Sequence, residues 1–199
     1  MLDRSIPFEF HLTTIDLPLS RQTEFIHFCS ANGAKALTIE LARGEHLKQP
    51  MLTQEIIAND LNFVFFVATE LSNLLTAQNF PIARLKIEIP SSHSELFQDS
   101  VSTFERYFEW HGKIDYTQVE KLHFLCESHQ VHLSRNSLAG EPKTRFITLR
   151  EFGSKSQFEN RIAALLGELQ SGGWSLLKQI SEYCVYDNNK FLDNGWLPQ

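Results

Sequence analysis

The chain is predicted to be an α+β protein built as a tandem duplication of ferredoxin-like βαββαβ halves, each with an antiparallel sheet and helices on one face. Three observations lead to this prediction. Short segments that alternate apolar and polar residues predict strands, longer segments with apolar spacings of three and four predict helices, and both recur in one order twice along 199 residues. The first half is placed at residues 1–90, a linker at 91–103, and the second half with a C-terminal tail at 104–199, all within one compact unit.

The first half opens with a strand, because Phe8, Phe10 and Leu12 alternate with Glu9 and His11. The elements that follow are predicted in this order: a helix from Ser20 to Asn32-Gly33, a strand with Leu37, Ile39 and Leu41, a turn or short strand from Gly44 to Pro50, a long helix capped by Thr53 with the stripe Ile57, Leu61, Val64, Ala68, Leu71 and Leu75, and a strand over residues 82–89.

The second half repeats that order after a serine-rich linker candidate at Ser91–Ser94. Its elements are predicted to be a strand from Phe104 to Lys113, a helix opened by the capping box Thr117–Glu120, strands at Val131–Ser134 and Arg145–Arg150, a helix behind a second capping box at Ser154–Gln157, a strand from Leu176 to Asp187, and an aromatic tail with Phe191, Leu192, Trp196 and Leu197.

Residue matches between the halves support an internal duplication. They follow the chain order and fall at corresponding places in the element order: Phe8-Glu9-Phe10-His11 with Phe108-Glu109-Trp110-His111, Cys29 with Cys126, Gly44-Glu45 with Gly140-Glu141, and Arg84 and Glu88 with Lys178 and Glu182. Each half therefore leaves one sheet face without helices, and the alternation makes that face polar. Two such sheets would pack edge to edge into one surface or face each other across a polar cleft.

Composition excludes several classes of function. The formal charge of −6 is spread along the chain without a basic stripe, so a long nucleic acid is not an expected partner. The most apolar stretch, 61–75, is interrupted by polar residues and is too short to span a bilayer. The absence of a signal-peptide pattern and three widely spaced cysteines predict a cytoplasmic protein with reduced thiols. No cofactor fingerprint or metal motif is complete, and the aromatic tail is expected to dock on the body or on a second copy in a homodimer.

The first candidate site consists of His11 and His111, each with a glutamate on the same strand face, Glu9 and Glu109. Histidine titrates near neutrality, and a nearby carboxylate orients the ring and raises its basicity. Two such sets related by symmetry would act as acid and base or bind one divalent metal. The alternative is that they are solvated polar residues on the open side of a sheet.

A second candidate pairs His11-Leu12-Thr13 with His132-Leu133-Ser134. Each segment places an imidazole and a hydroxyl on the same side of a strand, which resembles the paired signature of the two-histidine phosphoesterases. The resemblance implies that His11 and His132 are the catalytic acid and base and that Thr13 and Ser134 bind phosphate. In the internal duplication, by contrast, the partner of His11 is His111.

Two further groups carry candidate chemistry. His123, Cys126, His129 and His132 recur at intervals of three, which suits zinc, but they continue an apolar helix stripe and are better interpreted as a helix edge packed on the sheet. Cations on the polar strand faces would hold a phosphate or carboxylate between them, or would pair with the alternating glutamates: Arg84, Lys86, Lys113, Arg150 and Lys178.

These candidates lead to one functional hypothesis and one rival. The polar sheet face is expected to bind a small anionic, possibly phosphorylated ligand, with histidine-based phosphoester hydrolysis or transfer as its chemistry. The rival hypothesis is a non-catalytic binding or assembly module that uses the polar face as an interface. The sequence leaves open whether the protein is an enzyme. Convergence of the histidines in a cleft, within reach of carboxylates or cations, distinguishes the two.

Overall fold

The protein forms one closed eight-stranded antiparallel barrel surrounded by helices. A computed structural model describes residues 5–98 and 105–196. The strands are β1 (Ile6–Thr14), β2 (Lys35–Leu41), β3 (Lys48–Ala58), β4 (Ile82–Pro90), β5 (Tyr107–Asp115), β6 (His132–Asn136), β7 (Thr144–Glu151) and β8 (Leu176–Asp187). Around the barrel they lie in the order β1-β3-β2-β6-β7-β5-β8-β4.

The helices lie outside the barrel and bury its apolar face. They are α1 (Leu19–Ala31), α2 (Leu61–Ala77), the short α3 (Glu95–Gln98), α4 (Val119–Ser128) and α5 (Lys155–Ser171). Phe8, Phe10 and Leu12 of β1 are fully buried in one cluster with Phe25 of α1 and Val64 of α2. The hydrophobic core is therefore a shell between barrel and helices, as the alternation in the sequence predicted for each half.

Each half has the connectivity that the sequence predicted. In the first half the spatial order of the strands is fourth, first, third, second, and the second half shows the same order. The halves join at two antiparallel seams, β2 with β6 and β4 with β8. Of the two predicted arrangements, the sheets adopt the edge-to-edge one, but they close into a barrel instead of one open surface, so that none of the eight described strands keeps a free edge.

The predicted start of the long helix in the first half was wrong. Thr53 does not cap a helix: it lies in β3, whose residues pair with both β1 and β2. The helix starts at Leu61, where the Asp60 side chain accepts a hydrogen bond from the Phe63 amide at 3.0 Å. The helix was predicted to start too early because Ile57 continues the apolar spacing of the α2 stripe. Ile57 lies in β3, however, and is 74% exposed.

The two predicted capping boxes had different outcomes. The box at Thr117 does not form, since α4 begins after Gln118, which has a left-handed backbone (φ 48°) and no capping side-chain bond. The box at Ser154 forms with both of its reciprocal bonds to Gln157. Phe104 and Leu197, which the sequence assigned to a strand and to the tail, lie outside the described residues. Within the described ranges, no helix is long and apolar enough to cross a membrane.

Candidate functional site

The polar strand faces of both halves point into the barrel, whose interior is called the lumen below. Side chains on strands that are not neighbours meet there: Lys86 of β4 contacts Glu109 of β5, although β8 lies between those strands. An eight-stranded barrel is just wide enough for its inward side chains to touch across the axis. The closure of the sheet therefore converts two polar faces into one internal polar cluster.

His11 is held by one residue of each neighbouring strand. Its Nδ1 lies 2.8 Å from the Thr53 hydroxyl on β3, and its Nε2 lies 3.0 Å from Glu88 Oε2 on β4. These two contacts fix the plane of the imidazole. Its side chain is 15% exposed, whereas that of Glu88 is 2% exposed, so the ring lies between solvent and a buried carboxylate.

His111 has the same surroundings in the second half. Its Nδ1 lies 3.0 Å from the Thr148 hydroxyl on β7, and its Nε2 lies 3.4 Å from Glu109 and 3.6 Å from Glu182 on β8. Its side chain is 24% exposed. Of the set predicted from the sequence, His11, His111 and Glu109 line one lumen, and Glu9 lies opposite Glu88 on β4.

Lys86 connects the two histidine sets. Its ammonium lies 2.8 Å from Glu88 Oε1 and 2.5 Å from Glu109 Oε2, and each of these glutamates also contacts a histidine. Although burial alone would raise the pKa of Glu88, the charge of Lys86 lowers it to about 2. For Glu109, Lys86 and Arg150 together outweigh burial and hold the pKa well below its ordinary value. Both glutamates are therefore charged at neutral pH.

The layer around the histidines contains more carboxylates than cations. Glu9 lies directly opposite Glu88 across β1 and β4, and Glu109 lies directly opposite Glu182 across β5 and β8. Like charges at such positions destabilise a sheet. Burial, followed by repulsion from Glu88 and Glu9, raises the pKa of Glu182 well above its ordinary value. We call Glu9, Glu88, Glu109 and Glu182 the glutamate ring.

Two arginines define another part of the lumen, called the arginine end below. Arg84 donates to Asp187 from Nε (2.9 Å) and Nη2 (2.5 Å), and Arg150 donates from Nε to Glu109 (2.8 Å). The Arg150 guanidinium lies 4.3 Å from the centroid of the Tyr107 ring. Arg84 and Arg150 are almost fully buried, and these carboxylates, rather than a ligand, compensate much of their charge.

The C-terminal segment Lys190–Trp196, called the plug below, closes the arginine end. Asp193 inserts its carboxylate between Arg84 and Arg150, with Nη2 of Arg150 at 2.6 Å, and is 1% exposed. Trp196 donates from Nε1 to the Leu133 carbonyl and packs against Leu41. Exposure of the lumen side chains rises from this closed end to His11 and His111, so the histidine layer is nearer to solvent.

The remaining predicted ligand-binding residues, Thr13, Ser134 and Lys113, do not meet at one point. Thr13 is buried on β1, in register with Arg84. Ser134 is buried on β6, in register with Phe146 and Leu41. Lys113 forms an ion pair with Glu141 in the loop before β7. Thr13 and Ser134 lie on strands separated by β3 and β2.

His132 has partners different from those of His11 and His111. Arg43 donates from Nη2 to His132 Nδ1 at 2.6 Å, and Arg43 also pairs with Glu127 of α4. Burial and then the charge of Arg43 lower the pKa of His132 to about 4, so it is neutral at pH 7. The two histidines of the two-histidine signature, His11 and His132, therefore have different partners: a carboxylate at His11 and an arginine at His132. On α4, Cys126 packs in the core and His123 contacts Tyr116, as expected for a helix edge.

Sequence reasoning did not assign four residues that complete the cluster: Glu88, Glu182, Asp187 and Asp193. One signal could have indicated acidic partners. Arg84, Lys86 and Glu88 alternate on one face of a strand, and three charges on one face require either solvent or buried partners. Among residues 5–98 and 105–196, no three histidine, cysteine or acidic side chains are arranged to hold a metal ion. Lys86 occupies the position between the carboxylates that a cation would take.

Comparisons with known proteins give no family. No family model matches the chain, and no curated protein is similar to it in sequence. Three solved structures have a distant likeness: a heme-binding protein from Thermus thermophilus (9% identity, TM-score 0.31, 90% of this chain and 91% of that chain), a mutant chlorite dismutase from Candidatus Nitrospira defluvii (12%, 0.30, 90% and 91%), and a protein described as a glycine cleavage system transcriptional repressor (11%, 0.28, 90% and 98%). At such scores no function is transferred.

Proposed function

We propose that the barrel binds a small molecule in the histidine layer, and that the ligand is a small organic cation such as a primary amine. The observation that carries this proposal is the glutamate ring: of its two directly opposed pairs, Lys86 contacts one member of each, Glu88 and Glu109, whereas Glu9 and Glu182 are the members that it does not contact. Such pairs reduce stability unless a bound proton, as the raised pKa of Glu182 allows, or a cation compensates their charge. An ammonium group supplies both a positive charge and several hydrogen-bond donors for carboxylates.

Two acceptor positions support this ligand class. Glu88 Oε1 is buried and lies 2.8 Å from the Lys86 ammonium, and a carboxylate oxygen has a further lone pair that a second donor can use. Glu182 is 7% exposed and lies 3.6 Å from His111, which is beyond hydrogen-bonding distance. A bound ammonium would donate to these oxygens, and His11 or His111 would accept a proton from the ligand or return it.

The rival assembly hypothesis required the polar face to be exposed. Closure of the barrel places that face inside, where a second subunit cannot cover it. His11 and His111 instead line the lumen with carboxylates within reach, an arrangement that supports a ligand or catalytic site. In this proposal, the two histidines also transfer protons to and from the bound ligand.

A small anionic or phosphorylated ligand remains a second candidate, because Lys86, Arg84 and Arg150 all line the lumen. All three already pair with carboxylates, so such a ligand would have to displace one of them. The sign of the ligand's charge therefore separates the two candidates experimentally.

A thermal-shift and calorimetric screen tests the proposal. The probes are ethylammonium and putrescine as amines, inorganic phosphate and acetate as anions, and magnesium and zinc as metal ions. A ligand at 100 times its Kd stabilises by about 2.7 kcal/mol, which raises the Tm of a protein of this size by about 5–11 °C. We expect amines to stabilise the wild type and Glu182→Gln to lose most of this effect, with exposed Glu70→Gln of α2 as the matched control. Stabilisation by phosphate alone would favour the second candidate.

We also propose that the halves descend from one duplicated unit. Equivalent contacts support this: His11 with Thr53 and Glu88 in the first half corresponds to His111 with Thr148 and Glu182 in the second. The register of the strands carries the same correspondence. A significant match between independently built sequence profiles of the two halves would test it, and profiles without such a match would count against it.

A further inference from the structure

The arginine end has the composition of a carboxylate-binding site. The Asp193 carboxylate accepts hydrogen bonds from Arg84 Nη1 at 3.2 Å, Arg150 Nη2 at 2.6 Å and Gln49 Nε2 at 3.3 Å. Arg84 Nη2 lies 3.1 Å from the same carboxylate. These donors come from β4, β7 and β3, and each donor residue is less than 5% exposed. Three strands from both halves therefore contribute to one anion position.

The arginines are oriented by residues other than Asp193. Asp187 accepts two hydrogen bonds from Arg84, and Tyr107 donates its hydroxyl to Asp187 at 2.6 Å. Arg150 is held by Glu109 and by the face of the Tyr107 ring. We therefore expect both guanidinium groups to keep their places when the Asp193 carboxylate is removed, which preorganises the position for an anion.

The plug that delivers Asp193 is an irregular segment outside the barrel sheet. None of its described residues pairs with a strand of the barrel, and it contains a 3₁₀ turn over Lys190–Asp193. Besides Asp193, it is held by Trp196 and Leu192, by the Glu45 amide bonded to the Asn194 carbonyl and by the Gln49 side chain bonded to the Leu192 carbonyl. Lys190 also forms an ion pair with Glu105 and lies over the Phe152 ring. Phe191 is 71% exposed. Short segments of this kind open at a lower free energy than the sheet they cover.

We propose that the arginine end is a binding site for a small carboxylate, that Asp193 occupies it as a tethered ligand, and that displacement of the plug exposes it. The planar carboxylate is the favoured class, because its two oxygens match the paired N–H groups of the two guanidiniums. A free carboxylate competes with Asp193 for the same donors and displaces the plug. This site is separate from the amine site in the histidine layer and does not depend on it.

Chemical rescue tests the site. Asp193→Ala removes the tethered carboxylate, and we expect formate to raise its Tm by several degrees more than chloride at equal ionic strength. Wild type and Asp115→Ala, which changes an exposed aspartate at the end of β5, are expected to respond alike to formate and much less than Asp193→Ala, because formate has to compete with Asp193 in both. Asp193→Asn keeps the position filled and is expected to show no rescue. Equal responses of Asp193→Ala to formate and chloride would overturn the proposal, and a larger response to phosphate would contradict the carboxylate class.

A second experiment tests the plug and covers the case in which Asp193→Ala fails to fold. Trp196→Ala loosens the plug and leaves Gln49, Arg84 and Arg150 unchanged. We expect formate to stabilise this variant more than wild type. In the wild type, we expect formate to accelerate hydrogen exchange of the Trp196 amide, which bonds to the Asp193 carbonyl. Unchanged exchange in formate, together with equal responses of Trp196→Ala and wild type, would show that the plug does not open.

Discussion

Lys86→Met is the variant that tests the buried charge cluster most severely. It removes the ammonium between Glu88 and Glu109, two side chains that are each 2% exposed. Removing one partner of a buried ion pair costs about 3–5 kcal/mol. Because Glu109 keeps Arg150, we expect the lower part of that range, about 3 kcal/mol. In a protein of this size that lowers Tm by about 6–12 °C.

The loss is expected to depend on pH in a defined direction. In the wild type the Glu88 pKa is lowered to about 2 from 4.5, so its stabilising contribution is complete above 4.5 and is lost as pH falls toward 2. Without Lys86, burial dominates and raises the pKa of Glu88 above 4.5. The variant then takes up a proton on folding at mildly acidic pH. The Tm difference between wild type and variant should therefore be largest near pH 7 and shrink toward pH 5.

Thermal unfolding from pH 5 to 8, followed by circular dichroism, measures this difference. Lys35→Met is the matched control, since Lys35 lies 3.7 Å from Glu55 and both side chains are more than two-thirds exposed. Exposed pairs of this kind contribute about 0–1 kcal/mol. A Tm loss for Lys86→Met no larger than that of Lys35→Met, or a loss that grows as pH falls, would refute a buried lysine shared by two charged glutamates.

Three further predictions concern other parts of the fold. His132, with its pKa lowered to about 4 from 6.5, makes the protein less stable as pH falls through that interval, so His132→Gln should flatten the Tm profile there; an unchanged profile would contradict this. Ser154→Ala removes the capping box with Gln157 and should cost about 0.5–2 kcal/mol in urea unfolding, whereas a neutral result would mean that water replaces the cap. Gly112→Ala places a methyl group 2.1 Å from the Trp110 ring, so a cost of about 1–3 kcal/mol is expected and a stability equal to wild type would show that the indole moves freely.

Much of the fold was predictable, because alternation and helical spacing are local properties. The strand from Leu176 to Asp187 and the cap at Ser154 were identified correctly from residues close together in the chain. The barrel was not predicted, because its closure depends on pairing between residues far apart, such as Leu41 with Ser134 and Glu88 with Cys184. The residues of an edge strand do not indicate locally with which other strand it pairs.

The candidate site was predicted in part. His11, His111 and Glu109 were selected because polar residues recur on one strand face, and they lie in one cluster. Their contacts with Glu88 and Glu182 were not foreseen, because they follow from the stagger between strands rather than from sequence spacing. Asp193 was missed for a different reason: it belongs to an irregular segment, for which no periodicity indicates which side chain points inward.

A double-mutant cycle between Lys86 and Glu109 tests the central claim most directly. These residues lie in different halves and on strands that are not neighbours, so they interact only if the polar faces meet inside a closed barrel. Unfolding free energies are measured for Lys86→Met, Glu109→Gln and the double variant. The structure predicts that the double variant loses about 1–3 kcal/mol less unfolding free energy than the sum of the two single losses. Additivity within about 0.5 kcal/mol would show that the two halves do not share one charged interior.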